Sequence, residues 1–135
     1  MNLVRRGRAV FLHDHAAGPH LWFVLSGPNN DGRLVAVMLC SLRKHADRTV
    51  VLTSADHPFI QHDSCVDYSS ATFWARAKID RHLAAGRAEL REDCSAKLLE
   101  RMIVGACASS RTPNDIRSEL GCAPFVSDNI MKSPA

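Results

Sequence analysis

The sequence predicts a mainly β fold with C-terminal helices, its strands short and antiparallel in a small barrel or sandwich. Three observations carry that expectation. Apolar runs rich in Val, Leu, Phe and Trp fill the first half and are separated by short polar links. One link, residues 27–32 (GPNNDG), is turn chemistry from end to end, because Pro presets φ while Asn, Asp and Gly tolerate positive φ. The last third switches to helical spacing. Short strands joined by short links favour a barrel or sandwich over alternating β-α units.

The elements follow in order. Residues 7–13 hold Ala-Val-Phe-Leu between Gly7 and the polar His13-Asp14-His15, a first strand. Residues 21–26 (LWFVLS) and 34–40 are the second and third, and the turn between them makes a hairpin. A polar link with Arg43, Lys44, His45 and Asp47 leads to a fourth strand over 49–53. Residues 56–64 (DHPFIQHDS) come next. Pro58 pushes His57 out of the helical region and removes a backbone donor, so this is a bent loop with Phe59 and Ile60 as core plugs.

Residues 65–68 alternate in polarity. Residues 72–79 alternate more clearly, with Phe73, Ala75, Ala77 and Ile79 on one face, and read as the last barrel strand. Residues 80–85 read as one or two helical turns stopped by Gly86. Leu98, Leu99, Met102, Ile103, Ala106 and Cys107 predict a helix over 95–108 that buries one face against the sheet. Thr112-Pro113-Asn114-Asp115 offers a Thr cap, a Pro at the first helical position and an early acid, with Gly121 as the stop. A single domain is expected over 1–121 and a loose tail over 122–135.

Composition narrows the function classes. The chain has 135 residues, 46% hydrophobic and 23% charged, as an ordered globular protein should. No apolar run approaches the roughly 20 residues of a membrane helix. The start, MNLVRR, is basic but leads into no long apolar stretch, so the expectation is no secretory signal, no membrane partner and a cytoplasmic location. The five cysteines include no CxxC and read as small apolar thiols in a reducing compartment. A net charge of +3 permits nucleic-acid binding without demanding it. Arg5, Arg6 and Arg8 read as a solvated N-terminal tail, or as phosphate contacts.

The run HLWFVLSGPNNDGRLVAVMLCSL, with a fourth strand and then ATFWARAKI, resembles the PemK/MazF-like toxins of bacterial toxin–antitoxin pairs. The resemblance spans about residues 7–108. It implies a small SH3-like antiparallel β-barrel, commonly a homodimer. It also implies metal-independent cleavage of single-stranded RNA, inhibited by an antitoxin protein that binds the same groove. Ser41 stands where that family ends its third strand with Thr or Ser. Arg43 lies near a basic catalytic position of some members, and Asp67 near a family Asp before the last strand. His20-Leu21 stands where the family has Arg-Pro, which removes a cation facing the scissile phosphate.

Cleavage of RNA through its 2′-OH needs a base, an acid and a cation at the phosphate. His57 and His62 are the candidate acid–base pair, with Arg43 as the third catalytic group. His20, Ser41, Lys44, Ser64, Asp67 and Tyr68 are the candidate substrate-binding residues. Lys44 would hold phosphate beside Arg43, and Tyr68 or Trp74 would stack on a base. Plainer readings stand beside these: His57 as a cap of the turn before Pro58, and His62 with Asp63 as a solvated pair. His13-x-His15, completed by His20 or Asp14, is an alternative metal pattern, whereas the main reading needs neither metal nor cofactor. The rival function is a barrel that has lost catalysis and binds nucleic acid or a protein partner.

Overall fold

A computed structural model describes residues 3–13 and 18–123. The strands are β1 (Ala9–Leu12), β2 (His20–Val24), β3 (Arg33–Ser41), β4 (Val51–Leu52), β5 (Ser64–Ala75) and β6 (Ala88–Arg91). The helices are α1 (Arg76–Ala84), α2 (Ala96–Ala108) and α3 (Asn114–Glu119). The strands form one six-stranded sheet, ordered β4-β5-β3-β2-β1-β6, with every pairing antiparallel. The fold is thus mainly antiparallel β, a curled half-barrel with a few helices.

The continuous apolar runs are explained by burial on both faces of the sheet. Leu21, Phe23, Val35 and Val37 join a core with Leu98, Leu99, Met102 and Ala106 of α2 and Ile116 of α3. Trp22, Val24, Leu34 and Ala36 point the other way and pack with Ile79 of α1. A strand covered on both sides has no polar face to display, so alternation disappears.

The hairpin turn is built as its residues dictate. Asn29 Oδ1 accepts hydrogen bonds from the backbone N–H groups of Asp31 and Arg33, at 2.9 and 3.0 Å. Gly32 closes the turn at φ +72°, a conformation that side chains disfavour. Helix α2 starts on Ser95, whose Oγ accepts from the Leu98 N–H at 3.0 Å.

Several expectations need correction. Residues 76–79 are helical, not the end of a strand. At Ala75 the partner strand β3 has run out, since Ala75 faces Arg33, the first residue of β3. The following Ala-Arg-Lys-Leu composition favours helix once no ladder is left to join, and only Ile79 of α1 is buried. Residues 65–68 and 72–75 belong to one strand, β5, with a register shift opposite Ala36–Met38. Strand β6 has no counterpart among the expected elements. It is short and charged, as edge strands tend to be, and pairs with β1. Pro113 itself occupies the cap of α3, without a side-chain bond, and Gly121 follows the helix at φ +75°.

The ends are tied down more than composition suggests. Val4 is fully buried, and Arg5 and Arg8 both approach Asp93, at 2.7 and 3.7 Å. Residues 124–135 of the expected loose tail lie outside the described residues. Its first two residues are anchored: Cys122 is bonded to Cys107, and the Ala123 carbonyl accepts from Arg117 at 2.7 Å. The all-thiol reading of the cysteines is corrected by that disulfide. No helix among the described residues is long and apolar enough to cross a membrane.

Candidate functional site

Antiparallel order brings the start of β2, the end of β3 and the start of β5 to one end of the sheet. A cleft of about 430 Å³ opens there, between these strand ends and residues 58–62 of the Pro58 loop. His20, Ser41, Arg43, His62 and Ser64, all singled out by the sequence, line it. The sequence separates these residues by up to 44 positions, and the sheet gathers them.

Two loops deliver exposed polar side chains to the cleft, and each is fastened by a buried polar residue. In the Pro58 loop, His57 is 2% exposed. Its Nε2 donates to the Glu92 carbonyl at 2.7 Å, and its Nδ1 accepts from the Phe59 N–H at 3.1 Å. Ile60 is buried in the core, and Phe59 packs against the core and Phe11. The loop then turns outward, so His62 is exposed and its Nε2 shares a 3.0 Å hydrogen bond with Ser41 Oγ. Ser64 Oγ donates to the His62 carbonyl at 2.9 Å, which fixes the backbone beneath the ring.

The loop after β3 repeats this division. Asp47 is 7% exposed, and its carboxylate accepts from Ser109 Oγ and from the hydroxyl and N–H of Thr49. Burial works against the charge, but these hydrogen bonds prevail and hold the carboxyl below its ordinary pKa. Arg43, four residues earlier, projects exposed at the cleft and has no ion-pair partner among the described residues.

The cleft is cationic in its lining. No Asp or Glu is among its described lining residues, while Arg43 and Arg91 are. The Arg91 guanidinium lies 4.7 Å over the Phe59 ring and within 3.8 Å of Glu89 and Glu92 carboxylates. Arg91 belongs to β6, so sequence reasoning that lacked β6 had no route to it. The Nδ1 of His20 donates to the Gly18 carbonyl at 3.0 Å, which leaves Nε2 as the ring nitrogen able to exchange a proton.

Other expected site residues lie elsewhere. His57 does not line the cleft, and both its ring nitrogens serve backbone groups, so it is an anchor rather than the partner of His62. Tyr68 is fully buried, its hydroxyl donating to the Met102 carbonyl at 2.7 Å, and burial pushes its pKa up. It has no ring face free to stack on a base. The Trp74 ring packs on Trp22 at 5.2 Å. Asp67 takes hydrogen bonds from Ser69 and Ser70, both 2.6 Å, and so organises the register shift in β5. Lys44 is exposed but does not line the cleft. His13 pairs with Glu89 at 2.6 Å, while residues 14 and 15 of the metal pattern lie outside the described residues.

Comparison with protein-family models, curated proteins and solved structures yields no match.

Proposed function

We propose that the cleft binds single-stranded RNA and cleaves it without a metal. The observation that carries this reading is the 3.0 Å contact between His62 Nε2 and Ser41 Oγ, in a cleft with Arg43 at its edge and no carboxylate among its described lining. An RNA 2′-OH takes the place of the Ser41 hydroxyl against His62, which removes its proton. The 2′-oxygen then bonds to phosphorus as the bond to the 5′-oxygen breaks. His20, protonated at Nε2, supplies the proton to that leaving oxygen, giving a 2′,3′-cyclic phosphate and a 5′-hydroxyl. Arg43 stabilises the charge on the phosphorane. His20 thus takes the second acid–base role in place of the buried His57.

The finer reading of the sheet as an SH3-like barrel of the PemK/MazF-like kind rests on the sequence resemblance, as do a homodimer and an antitoxin protein occupying the same cleft. Incubation of the purified protein with single-stranded RNA in EDTA tests the chemistry. Cleavage that disappears in His62→Ala, with an unchanged melting temperature, supports it. Undiminished cleavage by that variant removes His62 from the mechanism.

A second reading, binding without cleavage, is favoured by the absence of an Arg at position 20. Salt-dependent RNA affinity with intact RNA recovered is its signature.

A further inference from the structure

Among the described residues, Cys40, Cys65 and Cys94 are free thiols, and two of them face each other. Cys40 on β3 and Cys65 on β5 are direct cross-strand partners, with their sulfurs 3.5 Å apart. Directly opposed residues of an antiparallel pair have Cα atoms about 4.5–5.5 Å apart, inside the span that a disulfide bridges. A small rotation of each side chain about χ1 therefore brings the sulfurs to bonding distance without moving either strand.

We propose that Cys40 and Cys65 form a thiol-oxidation site, which a hydroperoxide converts to a cross-strand disulfide in the floor of the cleft. The two thiols differ in a way that sets the order of events. Cys40 is half-buried and lines the cleft, so it meets the oxidant. Cys65 is fully buried, and burial, with its contact to Cys40, raises its pKa to about 12. The Cys40 sulfur, as thiolate, attacks one peroxide oxygen, the O–O bond breaks, and the other oxygen leaves with a proton as water or an alcohol. The Cys65 sulfur then attacks the Cys40 sulfenic acid. The S–O bond breaks, and hydroxide leaves with the Cys65 proton as water. Two thiols lose two protons and two electrons, and the peroxide takes up both.

The pair sits beside Ser41 and Ser64, the next cross-strand partners, so the modification falls within the proposed RNA site. Its chemistry needs no RNA. The contrast with Cys94 is internal. That thiol is half-buried and its pKa is raised by burial, but it has no sulfur partner among the described residues.

Peptide mapping tests the site directly. The full chain is treated with limiting hydrogen peroxide, alkylated with N-ethylmaleimide and cut with trypsin without reduction. Cys40 lies in the peptide 34–43, Cys65 in 49–76 and Cys94 in 92–97. The expected product is peptide 34–43 joined to 49–76 with the loss of two hydrogens, released by dithiothreitol. Cys40→Ser removes the linked peptide. Cys65→Ser leaves a Cys40 sulfenic acid that dimedone traps. Recovery of both peptides fully alkylated, or linkage of either to 92–97 instead, overturns the proposal. The wild-type map decides the matter even where a variant fails to fold, and RNA cleavage does not enter the readout.

Discussion

His57 and His62 belong to the same loop, five positions apart, yet do opposite work. The first is buried and bonded to Glu92 and Phe59; the second is exposed and meets Ser41 across the cleft. Asp47 and Arg43 repeat the contrast in the loop after β3, one buried against Ser109 and the other presented at the cleft. In each loop the buried polar residue satisfies backbone or hydroxyl groups and thereby fixes where its exposed neighbour points. The lesson is that residue type alone does not separate a buried anchor from a side chain presented at the cleft. Both histidines have the same chemistry, and their surroundings assign the role.

Separate variants at the two ends of each loop break this comparison if it is wrong. The largest expected effect is on activity. Under the proposed chemistry His62→Ala lowers RNA cleavage about 10²–10⁴-fold, while denaturant melts place its stability within about 0.5 kcal/mol of wild type. Next is His57→Ala, which leaves the Phe59 N–H and the Glu92 carbonyl unpaired and opens a cavity beside Phe23. It is expected to cost about 2–4 kcal/mol in urea unfolding. Equal destabilisation by both substitutions would dissolve the distinction.

Asp47→Asn comes third, at about 1.5–3 kcal/mol at neutral pH, because its hydrogen bonds to the charged carboxylate are weakened. The folded pKa lies below the ordinary 3.8, so the ionised carboxylate contributes fully above about pH 4. That contribution is lost as pH falls through the lower folded value. The gap between wild type and variant in thermal melts should therefore narrow below pH 4. The smallest effect is expected of Arg43→Ala: RNA affinity falls about tenfold in filter binding with a shallower salt dependence, and the melting curve stays in place.

Much of the fold was legible locally. The hairpin across GPNNDG, the Ser95–Ala108 region, the Gly121 stop and the bend at Pro58 each follow from a few adjacent residues. Of the expected site, His20, Ser41, Arg43, His62 and Ser64 line one cleft. Misreadings cluster where burial or a distant partner decides. The alternation of Phe73, Ala75, Ala77 and Ile79 looks like one strand, but the ladder with β3 ends at Ala75 and the pattern continues as helix. Tyr68 carries no local sign that its ring would be enclosed under α2, with its hydroxyl on the Met102 carbonyl.

The sequence by itself determined the mainly β class, the turn chemistry and the apolar faces, because propensity and periodicity act over a few residues. Only the tertiary structure decided the pairing of β6 with β1, the Cys107–Cys122 bond, the facing sulfurs of Cys40 and Cys65, and which histidine became an anchor. Each of these depends on groups that meet only after the chain has folded back on itself, and no local pattern encodes that meeting.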